Sequence, residues 1–332
     1  MHSFYCYLSL LMILFCPCID VFAQVDSTVI GLIGCHNQNA IAPSLDFMAD
    51  QIRPQYVVWL GDNVYADTHD NIDYKLEQLN KLAARPAFSR LRNQSTFLVT
   101  WDDHDYGENN AGKDYSLREL SKQLHRQFWQ LKQEIPENQD GVYYARSFQQ
   151  LNGKVIQFIM LDGRFNREDP RKRHADAFGE NQWRFVEDQL SQPADLRFIV
   201  LGYQILLNRP TRWEALVKLG NCRRRLFDLI GKMNGGQVLF LTGDQHTAEV
   251  LKSPINIRYK TFEIMACGIN QTERPGIALN RVAGPDRTLH SAPHITIYWT
   301  ADPYVEVYNQ QAETGKQTMF YRINLKDIGF KK

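Results

Sequence analysis

Short apolar runs recur along the chain, and each of six runs is followed directly by polar residues able to carry chemistry. They span 27–33, 56–60, 96–100, 155–161, 197–201 and 237–241. Continuous apolar runs of this length are typical of strands covered on both faces. In layered α/β folds, ligands bind beyond the carboxyl ends of such strands. The pattern therefore predicts buried strands that end at one shared site.

Helical patterns lie between these runs, and the pattern changes to strands and turns after Glu249. Apolar spacings of three and four predict helices over 42–52, 74–84, 117–133 and 181–190. On the third helix, the predicted apolar face consists of Leu120, Leu124, Phe128 and Leu131. Later strands are predicted over 261–266, 294–299, 304–308 and 319–325, the last two as a hairpin around 311–316. No linker-like stretch divides the chain, so we expect one domain over 24–332.

The amino-terminal residues 1–23 have the layout of a secretory signal peptide. An apolar segment ends at Val21-Phe22-Ala23, a small-x-small cleavage pattern. A retained membrane anchor is the alternative, but the run is short for a full span and contains Pro17 and Asp20. We expect an exported protein, periplasmic or secreted, without a stable transmembrane anchor after cleavage.

Composition gives no support for binding to nucleic acid or an anionic membrane, and the number of cysteines limits how they can pair. The formal net charge is +1, so no overall charge argues for binding to nucleic acid or to an anionic membrane. After the signal segment the chain keeps Cys35, Cys222 and Cys267, an odd set without repeated spacing. This is not a disulfide scaffold, and at least one thiol is expected to be free, metal-bound or paired to another chain.

The segment 101–105, Trp-Asp-Asp-His-Asp, carries the densest chemistry. Three carboxylates and a histidine at a strand end would repel one another strongly without a cation. Oxygen ligands beside an imidazole suit a divalent or trivalent metal. The alternative is a solvated acidic turn whose aspartates cap a helix.

Two other segments place an aspartate directly after a strand and a glycine. Gly61-Asp62 is followed by Tyr65, and Gly243-Asp244 is followed by His246. Taken singly, the first could be an ordinary turn with a core tyrosine and the second a helix cap with a surface histidine. Together with the segment 101–105, and each after an apolar run, they predict a single metal centre.

These segments resemble the alkaline phosphatase D (PhoD-like) branch of the calcineurin-like metallophosphoesterases. The matching motifs begin at Gly34-Cys35, Gly61-Asp62, Trp101-Asp102, Leu161-Asp162 and Gly243-Asp244, and the helix opening 179–183 also fits. They cover about residues 28 to 250 in the family's order. The resemblance implies an α/β fold, a four-layer αββα sandwich of two mixed β-sheets flanked by helices. It also implies iron and calcium as metals, with other divalent metals possible, and phosphate mono- or diesters as substrates.

The resemblance assigns roles residue by residue. Cys35 and Tyr65 would hold ferric iron, and Asp62 would bridge to the second metal. The other implied metal ligands are Asp102, Asp103, Asn109, Asp244 and His246. His104 would assist the leaving group, and Arg164, at another strand end, could hold a phosphate oxygen. For Cys35, a simply buried thiol is the alternative.

The expected function is that of an exported phosphoesterase, with alkaline phosphatase-like hydrolysis of phosphate monoesters, diesters or both by a metal-activated hydroxide. Neither a Gly-x-Ser-x-Gly segment nor a glycine-rich nucleotide loop is present. The substrate would be a phosphoester small molecule or a phospholipid. The alternatives are a phospholipase D-like phosphodiesterase on the same site and a non-catalytic secreted metal-binding protein.

Two basic segments remain candidates for contact with an anionic substrate, with a solvated surface as the alternative. The first comprises Arg167, Arg171, Lys172, Arg173 and His174. The second comprises Arg209, Arg212 and Trp213.

Overall fold

The computed structural model describes residues 26–208, 214–274 and 277–331. The predicted signal peptide, residues 1–23, and the candidates Arg209, Arg212 and Trp213 lie outside this part of the chain. Among the described residues, no helix has the length and apolar character needed to cross a membrane.

The elements alternate between strand and helix in the first part of the chain and are mostly strands after Thr242. The helices are α1 (Pro43–Phe47), α2 (Ile72–Ala83), α3 (Pro86–Gln94), α4 (Asp103–Tyr106), α5 (Arg118–Phe128), α6 (Gly179–Ser191) and α7 (Cys222–Ile230). The strands are β1 (Ser27–Ile33), β2 (Tyr56–Leu60), β3 (Thr96–Thr100), β4 (Tyr144–Gln149), β5 (Val155–Met160), β6 (Leu196–Leu201), β7 (Gln237–Thr242), β8 (Ala248–Lys252), β9 (Tyr259–Lys260), β10 (Phe262–Ala266), β11 (Arg281–Asp286), β12 (His294–Tyr298), β13 (Tyr304–Gln310), β14 (Gln317–Asn324) and β15 (Gly329–Phe330).

Two mixed sheets form the centre of the fold. The first has the strand order β14-β13-β12-β1-β2-β3, in which β1, β2 and β3 are parallel and the remaining pairs are antiparallel. The second has the order β11-β8-β10-β7-β6-β5-β4, in which β10, β7, β6 and β5 are parallel neighbours. Strands β9 and β15 form a separate small pair.

Direct contacts join the two large sheets. The Tyr56 ring of β2 packs 4.7 Å from the Phe148 ring of β4, measured between centroids. At the other end of the neighbouring strand, Thr100 Oγ1 donates a hydrogen bond of 2.7 Å to the carbonyl oxygen of Leu161. Apolar and polar contacts thus hold the sheets face to face.

Helices cover the outer faces. In α3, the Phe88 ring lies 5.8 Å from the Trp59 ring of β2. On the second sheet, the Phe227 ring of α7 lies 5.8 Å from the Phe240 ring of β7. This order of helix, sheet, sheet and helix confirms the predicted four-layer αββα sandwich.

Of the apolar face predicted for the helix over 117–133, Leu124, Phe128 and Leu131 pack against the core, and only Leu120 does not. Helix α5 ends at Phe128, its buried residues are Ser121, Lys122 and His125, and Leu120 is 43% exposed. Lys122 is buried because its Nζ donates to the Gln139 carbonyl oxygen over 2.7 Å and its stem covers apolar surface. The predicted helix over 42–52 is also divided, with α1 followed by a wider turn over Met48–Ile52.

Candidate metal centre

The carboxyl ends of six parallel strands meet at one place, as the apolar runs predicted. β1, β2 and β3 come from the first sheet, and β5, β6 and β7 come from the second. The two edges join around Asp102: a Cβ on Gly202 would lie 2.6 Å from its Cγ, and one on Gly61 would lie 2.7 Å from its Cβ. Glycine at these two positions lets the strand ends approach closely.

An open cavity of about 350 Å³ lies at this junction. It is lined by Asp62, Asp103, His104, Asn109, Asn110, Glu214, Asp244, His246 and Glu273. The lining includes six of the site residues predicted from sequence. The remaining four, Cys35, Tyr65, Asp102 and Arg164, contact the lining residues or one another.

Two overlapping sets of ligand atoms share Asp62. The first set consists of Cys35, Asp62 and His246, and the second consists of Asp62, Asp103 and His104. Each residue offers one ligand atom, and within a set these atoms all lie within 4.8 Å of one another. The Tyr65 hydroxyl lies 2.8 Å from His246 Nε2, beside the first set. A carboxylate common to two sets is the arrangement that a bridging ligand requires.

The backbone at these positions is unusual. Cys35, Asp62, Asp244 and His246 have φ angles of 52°, 49°, 75° and 52°, in the left-handed region that residues other than glycine rarely adopt. Neighbouring hydrogen bonds hold it there; for example, His36 N–H donates to the Asp62 carbonyl oxygen over 2.8 Å. Strained backbone of this kind concentrates at functional sites.

Carboxylates crowd one another at this site. Burial raises the pKa of Asp62 well above its ordinary value, and the charges of Asp103 and Asp102 raise it further. Burial also raises the pKa of Asp244 well above its usual range, with contributions from the same two neighbours. Such groups favour a bound cation, which removes their mutual repulsion.

Asp102 and Asp103 differ in their environments. Burial raises the pKa of Asp102 to about 7, although the Arg164 charge opposes the shift. Its Oδ2 atom is buried and has no hydrogen-bond partner among the described residues. The pKa of Asp103 is lowered, because Arg164 and His104 outweigh the effect of burial. The donor set, carboxylates with two imidazoles and a phenol, therefore fits hard metal ions.

His104 is held by Asp67, a residue to which the sequence assigned no role. The His104 Nδ1 atom lies 2.7 Å from Asp67 Oδ2. Burial alone would lower the pKa of His104, but the hydrogen bond to Asp67 and the charge of Asp103 raise it overall. Its ring packs on Tyr65 with 4.5 Å between centroids. The imidazole is thus oriented and kept more basic than usual.

Arg164 does not contact the cavity in the way that the sequence predicted. Its side chain is 0% exposed, and its Nε donates to Asp102 Oδ1 over 2.6 Å. Its Nη2 atom pairs with Glu214 and lies 3.6 Å from Asp103 Oδ1. Carboxylates enclose the guanidinium, so Arg164 is placed to position Asp102 and Glu214. The contact with a phosphate oxygen that the sequence predicted does not agree with this burial.

Cys35 is joined to Cys267 by a disulfide, with 5.3 Å between their Cα atoms. The Cys35 sulfur still lies 3.5 Å from Asp62 Oδ2. A thiolate is the metal ligand, so the predicted iron ligation by Cys35 applies only to the reduced pair. Cys222 is a buried free thiol on α7, 3.1 Å from Asp176.

Sequence reasoning missed four other members of the site, of which Glu273 lines the cavity with its Oε1 atom 4.0 Å from His246 Nδ1. Glu214 pairs with both Arg164 and Arg167, Asp67 orients His104, and Asn110 N–H donates to Asp103 Oδ2 over 2.6 Å. Asp67 closes a segment that was singled out, and Asn110 follows the predicted ligand Asn109. Glu214 directly follows Trp213, a candidate for substrate contact, but nothing in that segment marked the carboxylate as part of the metal centre.

Neither a family model nor a curated protein matches the sequence. Among solved structures, this chain is similar to PhoD, with 14% identity and a TM-score of 0.68. The match covers 93% of this chain and 72% of the PhoD chain. The chain has the PhoD-like fold. A purple acid phosphatase from yellow lupin seeds is 13% identical, with a TM-score of 0.60. That match covers 91% of this chain and 54% of the lupin chain.

GAP50, described as the anchor in the inner membrane complex of Plasmodium, is similar to this chain as well. It is 14% identical with a TM-score of 0.55, and the match covers 92% of this chain and 90% of GAP50. At these identities the likeness establishes the fold. The PhoD-like fold therefore confirms the resemblance that the strand-end motifs indicated.

Proposed function

We propose that this protein is an exported, metal-dependent phosphoesterase that hydrolyses phosphate monoesters, diesters or both. One observation carries the proposal: two ligand sets share Asp62 at the joined carboxyl ends of both sheets, in a cavity that His104 also lines. The PhoD-like fold supports it, because a structural neighbour, from yellow lupin seeds, is a purple acid phosphatase.

In the proposal, Asp62 would be a ligand to both metals, with Tyr65 and His246 as ligands in one set and Asp103 in the other. The further ligands are Asp102, Asn109 and Asp244. When bound, two such cations lower the pKa of a shared water and neutralise phosphoryl charge. A phenolate favours ferric iron and carboxylate oxygens suit calcium, so iron and calcium are the metals we propose.

His104 is proposed to protonate the departing alkoxide. Its hydrogen bond to Asp67 and its raised pKa support this role, because both favour the protonated form of the ring. Arg164 acts indirectly, because its ion pair with Asp102 fixes the position of a carboxylate beside the cavity. We therefore assign Arg164 a positioning role.

The test is hydrolysis of p-nitrophenyl phosphate and bis-p-nitrophenyl phosphate by metal-analysed protein. Asp62→Asn keeps the side-chain shape but removes the shared charge, so we expect loss of bound metal and at least a hundredfold loss of kcat/KM, on the order of a removed electrostatic contact. Asp188→Asn is the matched control, because Asp188 is exposed on α6.

The two esters separate the candidate activities. Preference for the monoester would identify an alkaline phosphatase-like enzyme, and preference for the diester would identify the phosphodiesterase alternative. If fully metallated wild-type protein turns over neither ester, the catalytic proposal fails and a metal-binding protein takes its place. Mass spectrometry of protein exported by an expression host tests export, with Gln24 expected as the first residue.

A further inference from the structure

A second cavity adjoins the metal centre. Its volume is about 390 Å³, and it shares Asn110 and Glu214 with the lining of the first cavity. Its other lining residues are Gly112, Lys113, Asp114, Arg167, Asp169 and Arg171, together with a wall that includes Tyr203 and Lys218. The sequence analysis had left Arg167 and Arg171 open between substrate contact and a solvated surface.

Two loops that are bound to each other build this cavity. Lys113 N–H donates to the Arg167 carbonyl oxygen over 2.9 Å, and Arg167 Nη1 donates to the Asn110 carbonyl oxygen over 3.1 Å. Gly112 fits between the loops, since a Cβ there would lie 2.5 Å from the Arg167 carbonyl oxygen. The cavity is therefore formed before any ligand arrives, which lowers the entropic cost of binding.

A chain of ion pairs connects the two cavities. Arg164 contacts Asp103 in the first cavity and also pairs with Glu214, which both cavities share. Glu214 pairs in turn with Arg167, which is only 8% exposed. Glu214 therefore joins a guanidinium on the metal side of the shared wall, Arg164, to a guanidinium in the second cavity, Arg167.

The charges differ between the cavities. Five carboxylates line the first, those of Asp62, Asp103, Glu214, Asp244 and Glu273. Four cations line the second, Lys113, Arg167, Arg171 and Lys218, against three carboxylates. The first cavity attracts cations. In the second, Glu168, which pairs with Lys113 from outside the lining, balances the fourth cation, so the cavity offers cationic groups to an anion without a net positive charge.

Two of these cations have partners that an anion can replace. Lys113 pairs with Glu168 at 2.5 Å and Arg171 pairs with Asp169 at 2.7 Å, and the Arg171 side chain is 89% exposed. An ion pair with an exposed member, such as that of Arg171, contributes little, so its exchange for a ligand anion costs little. The Lys113 and Glu168 side chains are 32% and 28% exposed, so the exchange of that pair costs more. A guanidinium and an ammonium together can hold phosphate or carboxylate oxygens by charge-assisted hydrogen bonds.

We propose that the second cavity binds a second anionic group on the substrate, while the scissile phosphoester lies at the metal centre. This rests on the proposed function and specifies it: the substrate class is a phosphoester with another phosphate or carboxylate several bonds away. The cavity holds that group through Lys113 and Arg171 on the open side, with Arg167 at the base.

The test compares phosphate release from alkanediol bisphosphates with release from alkyl monophosphates of equal length, with chains of three to eight carbons. We expect KM to be about tenfold lower for the bisphosphate at one chain length, the effect of one charge-assisted contact. A parallel series of ω-carboxyalkyl phosphates distinguishes a phosphate group from a carboxylate as the second anion.

The double variant Lys113→Gln/Arg171→Gln should reduce the preference for bisphosphate about tenfold, returning the ratio of KM values to near one. The matched control is Lys172→Gln/Arg173→Gln, which removes the same charge from exposed positions of the same loop outside the cavity. That control should keep the preference. If the double variant unfolds at a lower temperature than wild type, Arg171→Gln alone, at an 89% exposed side chain, replaces it.

The outcomes separate this inference from the proposed function. Equal KM values for bisphosphates, carboxyalkyl phosphates and monophosphates in an active wild-type enzyme would overturn the inference alone. An equal loss of preference in both double variants would also overturn it, because it would reduce the effect to overall charge. Absence of turnover with every ester would instead overturn the proposed function.

Discussion

Cys35 and Cys267 are 232 residues apart in sequence, yet they form a disulfide beside Asp62, which lies 3.5 Å from the Cys35 sulfur. Both cysteines are buried, and Cys267 follows β10 directly. The sulfur that would bind a metal as a thiolate is thus engaged with another cysteine in the oxidised protein.

Replacement of either cysteine should therefore have different effects on metal binding. Cys267→Ser leaves the Cys35 thiol beside Asp62, so we expect more bound iron than in oxidised wild type; Cys35→Ser should bind less than Cys267→Ser. Both variants lose the same disulfide and about 2–4 kcal/mol of stability, so that loss cancels between them. Metal analysis and visible absorption of an iron–thiolate band provide the measurement.

Cys222→Ser is the control, since this thiol lies on α7 next to Asp176. It should leave iron content unchanged. Equal iron in Cys35→Ser and Cys267→Ser would remove Cys35 from the ligand set.

Arg164→Met should destabilise the metal-free protein by about 3–5 kcal/mol, because it leaves Asp102 and Glu214 buried without their cation. Urea unfolding measures the change. Arg173→Met, at an exposed position, should stay within about 0.5 kcal/mol of wild type. Unaltered stability together with a raised KM would instead restore the direct contact with substrate phosphate that the sequence predicted.

Asp67→Asn should shift the pH dependence of kcat. The hydrogen bond from Asp67 raises the pKa of His104 against the effect of burial, so the protonated imidazole persists to higher pH in wild type. Without the carboxylate, the protonated form is lost at lower pH, and the alkaline limb of kcat should move down by about one pH unit. Asp70→Asn, at an exposed neighbour, serves as the control. An alkaline limb that stays in place would mean that His104 is not the proton donor.

Stability should fall with rising pH because of the buried carboxyl of Glu263, which is not one of the candidate metal ligands. Burial raises the pKa of Glu263 to about 7 from an ordinary value of 4.5, although it accepts a hydrogen bond from Thr242 Oγ1 over 2.6 Å. Since the folded-state pKa is the higher one, the stabilisation is fully present below pH 4.5 and is lost as pH rises through 7. The loss is about 3 kcal/mol at most.

Glu263→Gln should therefore flatten the decrease in Tm of chelator-treated protein between pH 5 and pH 8, whatever its effect on Tm at pH 5. Some decrease should persist, because the pKa of Asp105 is also raised by burial, to about 6. Glu187→Gln, on the exposed face of α6, should keep the wild-type slope. The same slope in Glu263→Gln would show that this carboxyl does not contribute.

Much of the central architecture was predictable from local pattern. The runs that became β1, β2, β3, β5, β6 and β7 were found to within one residue at each end. A strand buried on both faces has few polar residues, and its end is marked where polar residues resume. Asp62 and Asp244 were found because each follows a strand and a glycine. β4, β8, β9, β11 and β15 were missed. β4 and β11 are mostly only partly buried and carry no continuous apolar run, whereas the buried β8 is short and contains Glu249.

The sequence by itself determined which strands are buried, where they end, and which chemical groups stand at those ends. Only the tertiary structure decided how those groups are paired: Cys35 with Cys267, Arg164 with Asp102 and Glu214, and His104 with Asp67. Burial and strand ends follow from the hydrophobicity of neighbouring residues, which is local information. Pairing depends on the path of the chain through two sheets, and it joins residues that are up to 232 positions apart.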